Sequence, residues 1–128
     1  MDICLAAALS ATVLARLPDH VTLAWEHTVE KVRWEEDYVA RAGALELVEA
    51  RIRGTGAGME MPAEAKLVDG TWRYRPRLPP LRKVYLRNIE LPLGYDLCWN
   101  GTCKRMRALI GSRDDMLVLV PCAASAGP

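Results

Sequence analysis

The chain has 128 residues, a length that suits one domain and leaves little room for two. Hydrophobic residues make up 51% of it and charged residues 26%, so it can form a core and does not fall in the disordered class. Seventeen basic residues against sixteen acidic ones give a net charge of +1. This balance argues against nucleic acid or an anionic membrane surface as a partner.

Residues 1–17 are rich in alanine and leucine but do not read as a targeting segment. They lack a basic n-region, and Ser10, Thr12 and Arg16 interrupt the apolar run. The run is also too short and too interrupted to span a bilayer. We expect two short strands here, with no leader and no direct membrane insertion.

The next segments predict an antiparallel pair of strands. Residues 21–27 alternate with period two and place their larger side chains on one face. Residues 34–39 are β-rich, with acidic residues among the aromatics, and Ala42-Gly43 can turn the chain back.

Residues 44–52 fit either a helix or a strand. Leu45, Val48 and Ile52 would lie on one helical face, and the composition favours a helix. In a strand, the apolar residues would be odd-numbered up to Leu47 and even-numbered from Val48 onward. Keeping all of them on one face requires a β-bulge between the two. The neighbouring strands favour the strand interpretation, which we adopt.

Two dipeptides predict tight hairpins in the second half of the chain. Asp69-Gly70 separates residues 66–68 from 71–74, and Asn100-Gly101 lies in the middle of residues 95–107. Further strands are predicted at 84–86 and 116–120, and a proline-containing linker precedes the first of them.

The predicted fold is therefore all-β. We expect one domain over residues 1–122, an antiparallel β-sandwich or partly open β-barrel of roughly eight to ten short strands. Residues 123–128 are small and predict a flexible C-terminal tail.

The four cysteines allow three disulfide pairings. Cys98 and Cys103 would face each other across the Asn-Gly hairpin, and Cys4 and Cys122 lie near the two ends of the domain. Four buried, reduced thiols are the alternative. The spacing does not favour a metal site, because no C-x-x-C pair is present.

Two segments contain residue types found at binding sites. Gly54, Gly56 and Gly58, with Met59 after them, form a loop whose backbone NH groups could hold an anion. The loop is neither a dinucleotide fingerprint nor a P-loop, and a tight bend is the favoured explanation for it. Arginines and aromatics alternate over residues 72–77, which suits a stacked anionic ligand or an edge strand with Trp72 inward and Arg75 in water.

His27, Glu30, Glu35 and Glu36 cluster within ten residues. A histidine near a carboxylate can act in acid–base chemistry or hold a metal ion. Adjacent strand residues point to opposite faces, however, so Glu35 and Glu36 cannot both join His27. No constellation in the sequence amounts to an active site on chemical grounds.

Five segments, in this order, resemble a bacterial family known as domain of unknown function 1850. They are His27-Thr28-Val29-Glu30-Lys31, Trp34-Glu35-Glu36, Gly54-Thr55-Gly56-Ala57-Gly58-Met59, Asp69-Gly70 and Trp72-Arg73-Tyr74. The similarity covers residues 21–106, and Thr28 stands where the family has serine.

Members of that family are associated with TRAP transporters of the TAXI subtype, which import small organic solutes. The resemblance implies a non-enzymatic accessory or binding module without a cofactor, with a TAXI-type TRAP component as partner and a periplasmic or membrane-peripheral location. The residues expected at its ligand or partner surface are His27, Thr28, Glu30, Glu35, Glu36, Gly54, Gly56, Gly58, Met59, Trp72 and Arg75. Two alternatives stay open: a metal-binding or hydrolase-like protein using His27 with a carboxylate, and a structural scaffold.

Overall fold

The computed structural model describes residues 1–26, 32–53, 61–87, 94–111 and 116–122. In these residues the chain forms eleven strands and one short helix. The elements are β1 (Ile3–Ala7), β2 (Val13–Leu17), β3 (His20–Glu26), β4 (Arg33–Arg41), β5 (Ala44–Arg53), β6 (Lys66–Val68), β7 (Thr71–Tyr74), β8 (Val84–Arg87), β9 (Asp96–Trp99), β10 (Thr102–Arg105), α1 (Met106–Ile110) and β11 (Met116–Pro121).

The strands form two antiparallel sheets that do not close into a barrel. The small sheet has the order β2-β1-β11-β8, and the large sheet has the order β10-β9-β3-β4-β5-β7-β6. This arrangement confirms the predicted all-β sandwich, including the two short strands expected before residue 18. The linker after β7 takes the chain from the large sheet to the small one.

The core lies between the inner faces of the two sheets. Alternate residues of the central strands are buried there: Ile3 and Leu5 on β1, Leu117 and Leu119 on β11, and Val21, Leu23, Tyr38, Leu45, Leu47 and Leu97 on the large sheet. Burying one such leucine or isoleucine contributes roughly 1.5–3 kcal/mol. The period-two pattern of the strands thus follows directly from which face each residue presents to this core.

β5 is a strand with a β-bulge, as the hydrophobic pattern required. Asp37 on β4 is in register with Glu49, but the next residue, Tyr38, is in register with Leu47. Val48 is therefore the extra residue of β5, and the buried positions change parity across it. The bulge turns the odd-numbered residues after it, including Arg51, toward the outer face.

Both predicted hairpins form, and both turn dipeptides have positive φ angles, typical of type I′ turns. Cys98 and Cys103 are register partners across the second hairpin, and their sulfur atoms are bonded, with Cα atoms 4.0 Å apart. Helix α1 was not predicted. It begins directly after β10, where Met106 is buried and donates its backbone N–H to the carbonyl of Tyr95 at 2.9 Å.

A second disulfide links the two central strands of the small sheet at one end of the pair. Cys4 on β1 is bonded to Cys122, the residue after β11, with Cα atoms 5.0 Å apart. The backbone N–H of Cys122 also bonds to the carbonyl of Asp2 at 2.8 Å. Both pairings proposed from the sequence are present in the structure.

Candidate functional site

A carboxylate lies among aromatic side chains on the inner face of the large sheet. Glu36 on β4 is in register with Leu23 on β3 and Ala50 on β5. Trp34 and Tyr38 lie on the same face, two residues before and after it. The hydroxyl of Tyr38 donates a hydrogen bond to Glu36 Oε1 at 2.8 Å. The immediate neighbours of this carboxylate are therefore apolar or aromatic.

Neighbouring strands complete an aromatic wall around Glu36. Trp25 on β3 is the register partner of Trp34, and their rings stack with centroids 6.1 Å apart. Tyr95, which precedes β9, contacts Trp25 edge-on with centroids 5.8 Å apart. Tyr74 on β7 lies on the same face, one strand beyond Ala50. We call the group formed by Glu36, Trp25, Trp34, Tyr38, Tyr74 and Tyr95 the Glu36 site.

Burial governs the ionisation of this site. It raises the pKa of Glu36 above its ordinary value of 4.5, and the hydrogen bond from Tyr38 offsets this only in part. Burial, followed by the negative charge of Glu36, also raises the pKa of Tyr38, Tyr74 and Tyr95. The three phenols consequently stay protonated at neutral pH, where they can donate hydrogen bonds but are poor bases.

The Glu36→Gln variant will be more stable than the wild type at pH 7. Glutamine keeps the shape and can still accept the Tyr38 hydrogen bond, but it removes the cost of burying a charge. Because the folded-state pKa of Glu36 is raised, this cost is full above the folded pKa and is lost as the pH falls toward the unfolded value of 4.5. Urea unfolding should show the gain at pH 7 and none below about pH 4.

Glu46→Gln is the matched control for this comparison. Glu46 lies on the outer face of β5 and pairs with Arg41 at 2.9 Å, with its side chain 27% exposed. Neutralising it should give no gain in stability at pH 7. A Glu36→Gln variant no more stable than Glu46→Gln at pH 7 would contradict the burial argument.

The outer face of the large sheet carries an ion-pair network instead. Arg51 donates from Nε to Glu35 at 2.9 Å, from Nη1 to Asp37 and Glu49 at 2.7 Å each, and from Nη2 to Asp37 at 2.7 Å. These bonds use four of its five N–H groups, and its side chain is 15% exposed. The guanidinium therefore has little capacity left for an anionic ligand.

Two further arginines balance the charges of this network. Arg33 bonds to Glu35 at 2.9 Å, and Arg73 bonds to Glu49 at 3.1 Å. Three arginines thus face three carboxylates. We call Arg33, Glu35, Asp37, Glu49, Arg51 and Arg73 the Arg51 network.

The carboxylates of the network are stabilised in their charged form. Burial alone would raise the pKa of Glu35, but hydrogen bonds from Arg33 and Arg51 outweigh it and lower the pKa. Burial is likewise outweighed at Asp37, where bonds from Arg51 and Thr22 lower the pKa. The Arg51 network therefore keeps both carboxylates in their charged form at neutral pH.

A cavity of about 320 Å³ lies beside the network, against the β9–β10 hairpin. It is lined by His20, Thr22, Glu35, Arg51 and the hairpin residues Cys98, Trp99, Asn100, Gly101 and Cys103. The Cys98–Cys103 disulfide forms part of its wall. Since Glu35 and Arg51 in its lining already bond each other, we place the candidate site on the inner face, at Glu36.

Most residues expected at the functional surface lie outside the described part of the chain. These are His27, Thr28, Glu30, Gly54, Gly56, Gly58 and Met59. The expected partition of Glu35 and Glu36 to opposite faces is confirmed by their register partners and bonds.

The remaining two expected residues lie apart. Trp72 is half-buried on the inner face of β7, and Arg75 is exposed after that strand ends. The prediction of an edge strand here is wrong, because β6 pairs with the far side of β7 and forms the edge itself. The inward orientation of Trp72 is as expected.

The aromatic partners of Glu36 were not predicted as site residues. Trp25 and Trp34 could have been grouped with it, because the hairpin pairing of β3 with β4 fixes their register. Tyr95 reaches the site through the pairing of β3 with β9, which no local sequence pattern indicates.

In the described residues, no group of three or more His, Cys, Asp or Glu side chains is placed to hold a metal ion, and no helix is long and apolar enough to cross a membrane.

Comparison with known proteins locates the similarity in the large sheet and in β8 of the small sheet. The matched residues, 21–106, contain β4 to β10 and nearly all of β3, whereas β1, β2 and β11 lie outside them. Every residue of the Glu36 site falls within the match. No curated protein and no solved structure matches the chain. The family model covers more than half of the chain, which therefore belongs to the family described as Domain of unknown function (DUF1850).

Proposed function

We propose that the protein is a non-enzymatic binding module that serves a TAXI-type TRAP solute uptake system. The association with the transporter rests on the family resemblance set out from the sequence. Two disulfides support a location in an oxidising compartment such as the periplasm, where an extracytoplasmic partner is accessible.

The Glu36 site is the observation that carries the binding role. It combines a half-buried carboxylate with half-buried aromatic rings, and such rings supply large apolar contact area with few rotatable bonds. Its carboxylate is held by a hydrogen bond from Tyr38, so its position is fixed before a ligand arrives.

The phenols of the site are suited to hydrogen bonding rather than to proton transfer at neutral pH. The pKa of Tyr38 is raised, by burial first and by Glu36 second, so its phenol is a weak proton donor and its phenolate is disfavoured at neutral pH. A fixed carboxylate and protonated phenols recognise a ligand by charge and hydrogen bonding.

Affinity capture from host membranes tests the transporter association. We expect the full chain, immobilised with both disulfides intact, to retain a TAXI-type TRAP membrane component at least about tenfold above an unrelated disulfide-bonded sandwich domain of similar charge. Quantitative mass spectrometry of the eluate measures the ratio. Recovery no greater than with the unrelated domain would refute the association.

The Glu36→Gln bait separates docking from ligand binding in the same experiment. Since the substitution alters a half-buried inner-face site, we expect this bait to retain the transporter component as well as the wild type does. A loss of capture by a folded Glu36→Gln bait would place the transporter contact at the Glu36 site itself.

A further inference from the structure

Within the described part of the chain, Glu36 has no cationic partner, unlike the other part-buried carboxylates of β4. Glu35 and Asp37, on the outer face of the same strand, are both bonded by Arg51. Among the described residues, the hydrogen bonds and ion pairs of Glu36 reduce to the single bond from the neutral Tyr38 hydroxyl. Burying a charge without a counter-charge is costly, and the arginines of the Arg51 network lie on the opposite face of the sheet, bonded to Glu35, Asp37 and Glu49.

The aromatic side chains around Glu36, like its carboxylate, favour a positively charged ligand. The π faces of Trp25, Trp34 and Tyr95 carry negative potential, which attracts a cation placed over them. These three rings are linked by contacts of 5.8 and 6.1 Å between centroids. All three are half-buried, so part of the wall stays open to solvent.

A diffuse organic cation fits this combination better than a metal ion. A metal ion requires several oxygen, nitrogen or sulfur ligands, whereas Glu36 is flanked by Leu23 and by the methyl group of Ala50. An alkylated ammonium group needs one counter-charge and apolar or aromatic walls for its methyl groups. The Glu36 site supplies both.

We propose that the Glu36 site binds a small organic cation of the alkylammonium class, with Glu36 as the counter-charge and Trp25, Trp34 and Tyr95 as the aromatic wall. This inference rests on the proposed binding role, but it does not depend on the transporter association. It assigns the solute class that the module would present to an uptake system.

Tryptophan fluorescence titration of the full, oxidised chain tests the proposal. The probes are choline and 3,3-dimethylbutan-1-ol, which has the same shape without the charge. We expect choline to bind at least about tenfold more tightly than the neutral alcohol, because only the cation gains from Glu36 and the ring faces. Equal affinities, or no saturable response to choline, would overturn the proposal.

Three variants locate the binding site. Glu36→Gln should weaken choline at least about tenfold and leave the neutral alcohol unchanged, whereas Glu46→Gln should change neither. Trp25→Phe keeps an aromatic ring with a weaker quadrupole and should weaken choline by a smaller factor. Circular dichroism and the unfolding midpoint confirm that each variant is folded.

The two proposals fail in different ways. Choline binding that survives Glu36→Gln in a folded protein would overturn the assigned site, whatever the capture experiment shows. Failure of the capture experiment would leave the titration and its outcome intact, since the titration uses the isolated chain.

Discussion

Replacing Cys4 and Cys122 together with alanine will lower the free energy of unfolding by about 5 kcal/mol. The two cysteines are 118 residues apart, so their bond removes conformational entropy from nearly the whole unfolded chain. Because this loss is a large part of the roughly 5–15 kcal/mol that stabilises a typical domain, we expect Cys4→Ala/Cys122→Ala to be partly unfolded at 37 °C. Urea unfolding followed by tryptophan fluorescence measures the difference.

The hairpin disulfide provides the matched control. Cys98 and Cys103 are five residues apart and already held as register partners on β9 and β10. The chain-entropy relation gives only about 2 kcal/mol for so short a loop. A Cys98→Ala/Cys103→Ala variant that loses as much stability as the terminal variant would contradict the loop-entropy explanation. Both double variants keep the other disulfide, so free thiols do not confuse the comparison.

The architecture of this chain could be predicted from its sequence because most of its signals are local. Asp69-Gly70 and Asn100-Gly101 specify turns whose geometry fixes the register of both flanking strands. The bulge at Val48 could be predicted as well, since the apolar residues of β5 cannot all face the core without a change of parity. Helix α1 was missed because it is a single short turn, fixed by the burial of Met106 and a bond to Tyr95.

The site was harder to predict, because its members meet only through strand pairing. The strand pattern separates Glu36 from Glu35 onto opposite faces, but it does not indicate that Glu35 is bonded by arginines and Glu36 by a tyrosine. Tyr95 comes from a strand pairing that depends on the whole sheet order. The outward direction of Arg51 depends on the bulge at Val48, so the network around it follows from the position of one extra residue.

That dependence makes Arg51 the other residue at which a large loss of stability is expected. Arg51→Met keeps the aliphatic stem and removes the guanidinium, leaving Glu35, Asp37 and Glu49 without their shared counter-charge. The side chains of Glu35 and Asp37 are only 20% and 14% exposed, so water compensates them poorly. We expect a loss of about 3 kcal/mol at pH 7, measured by urea unfolding.

The loss should also depend on pH with a defined sign. Glu35 and Asp37 have folded-state pKa values below their ordinary values of 4.5 and 3.8, so their contribution is present above those values and is lost as the pH falls. The difference between wild type and Arg51→Met should therefore shrink below about pH 4.

Arg73→Met is the control, since Arg73 is 46% exposed and pairs with Glu49 alone in the network. Arg73→Met should lower the free energy of unfolding by less than about 1 kcal/mol at pH 7. If Arg51→Met lowers it by no more than that, the network contributes only as much as ordinary surface ion pairs do, which would contradict the prediction.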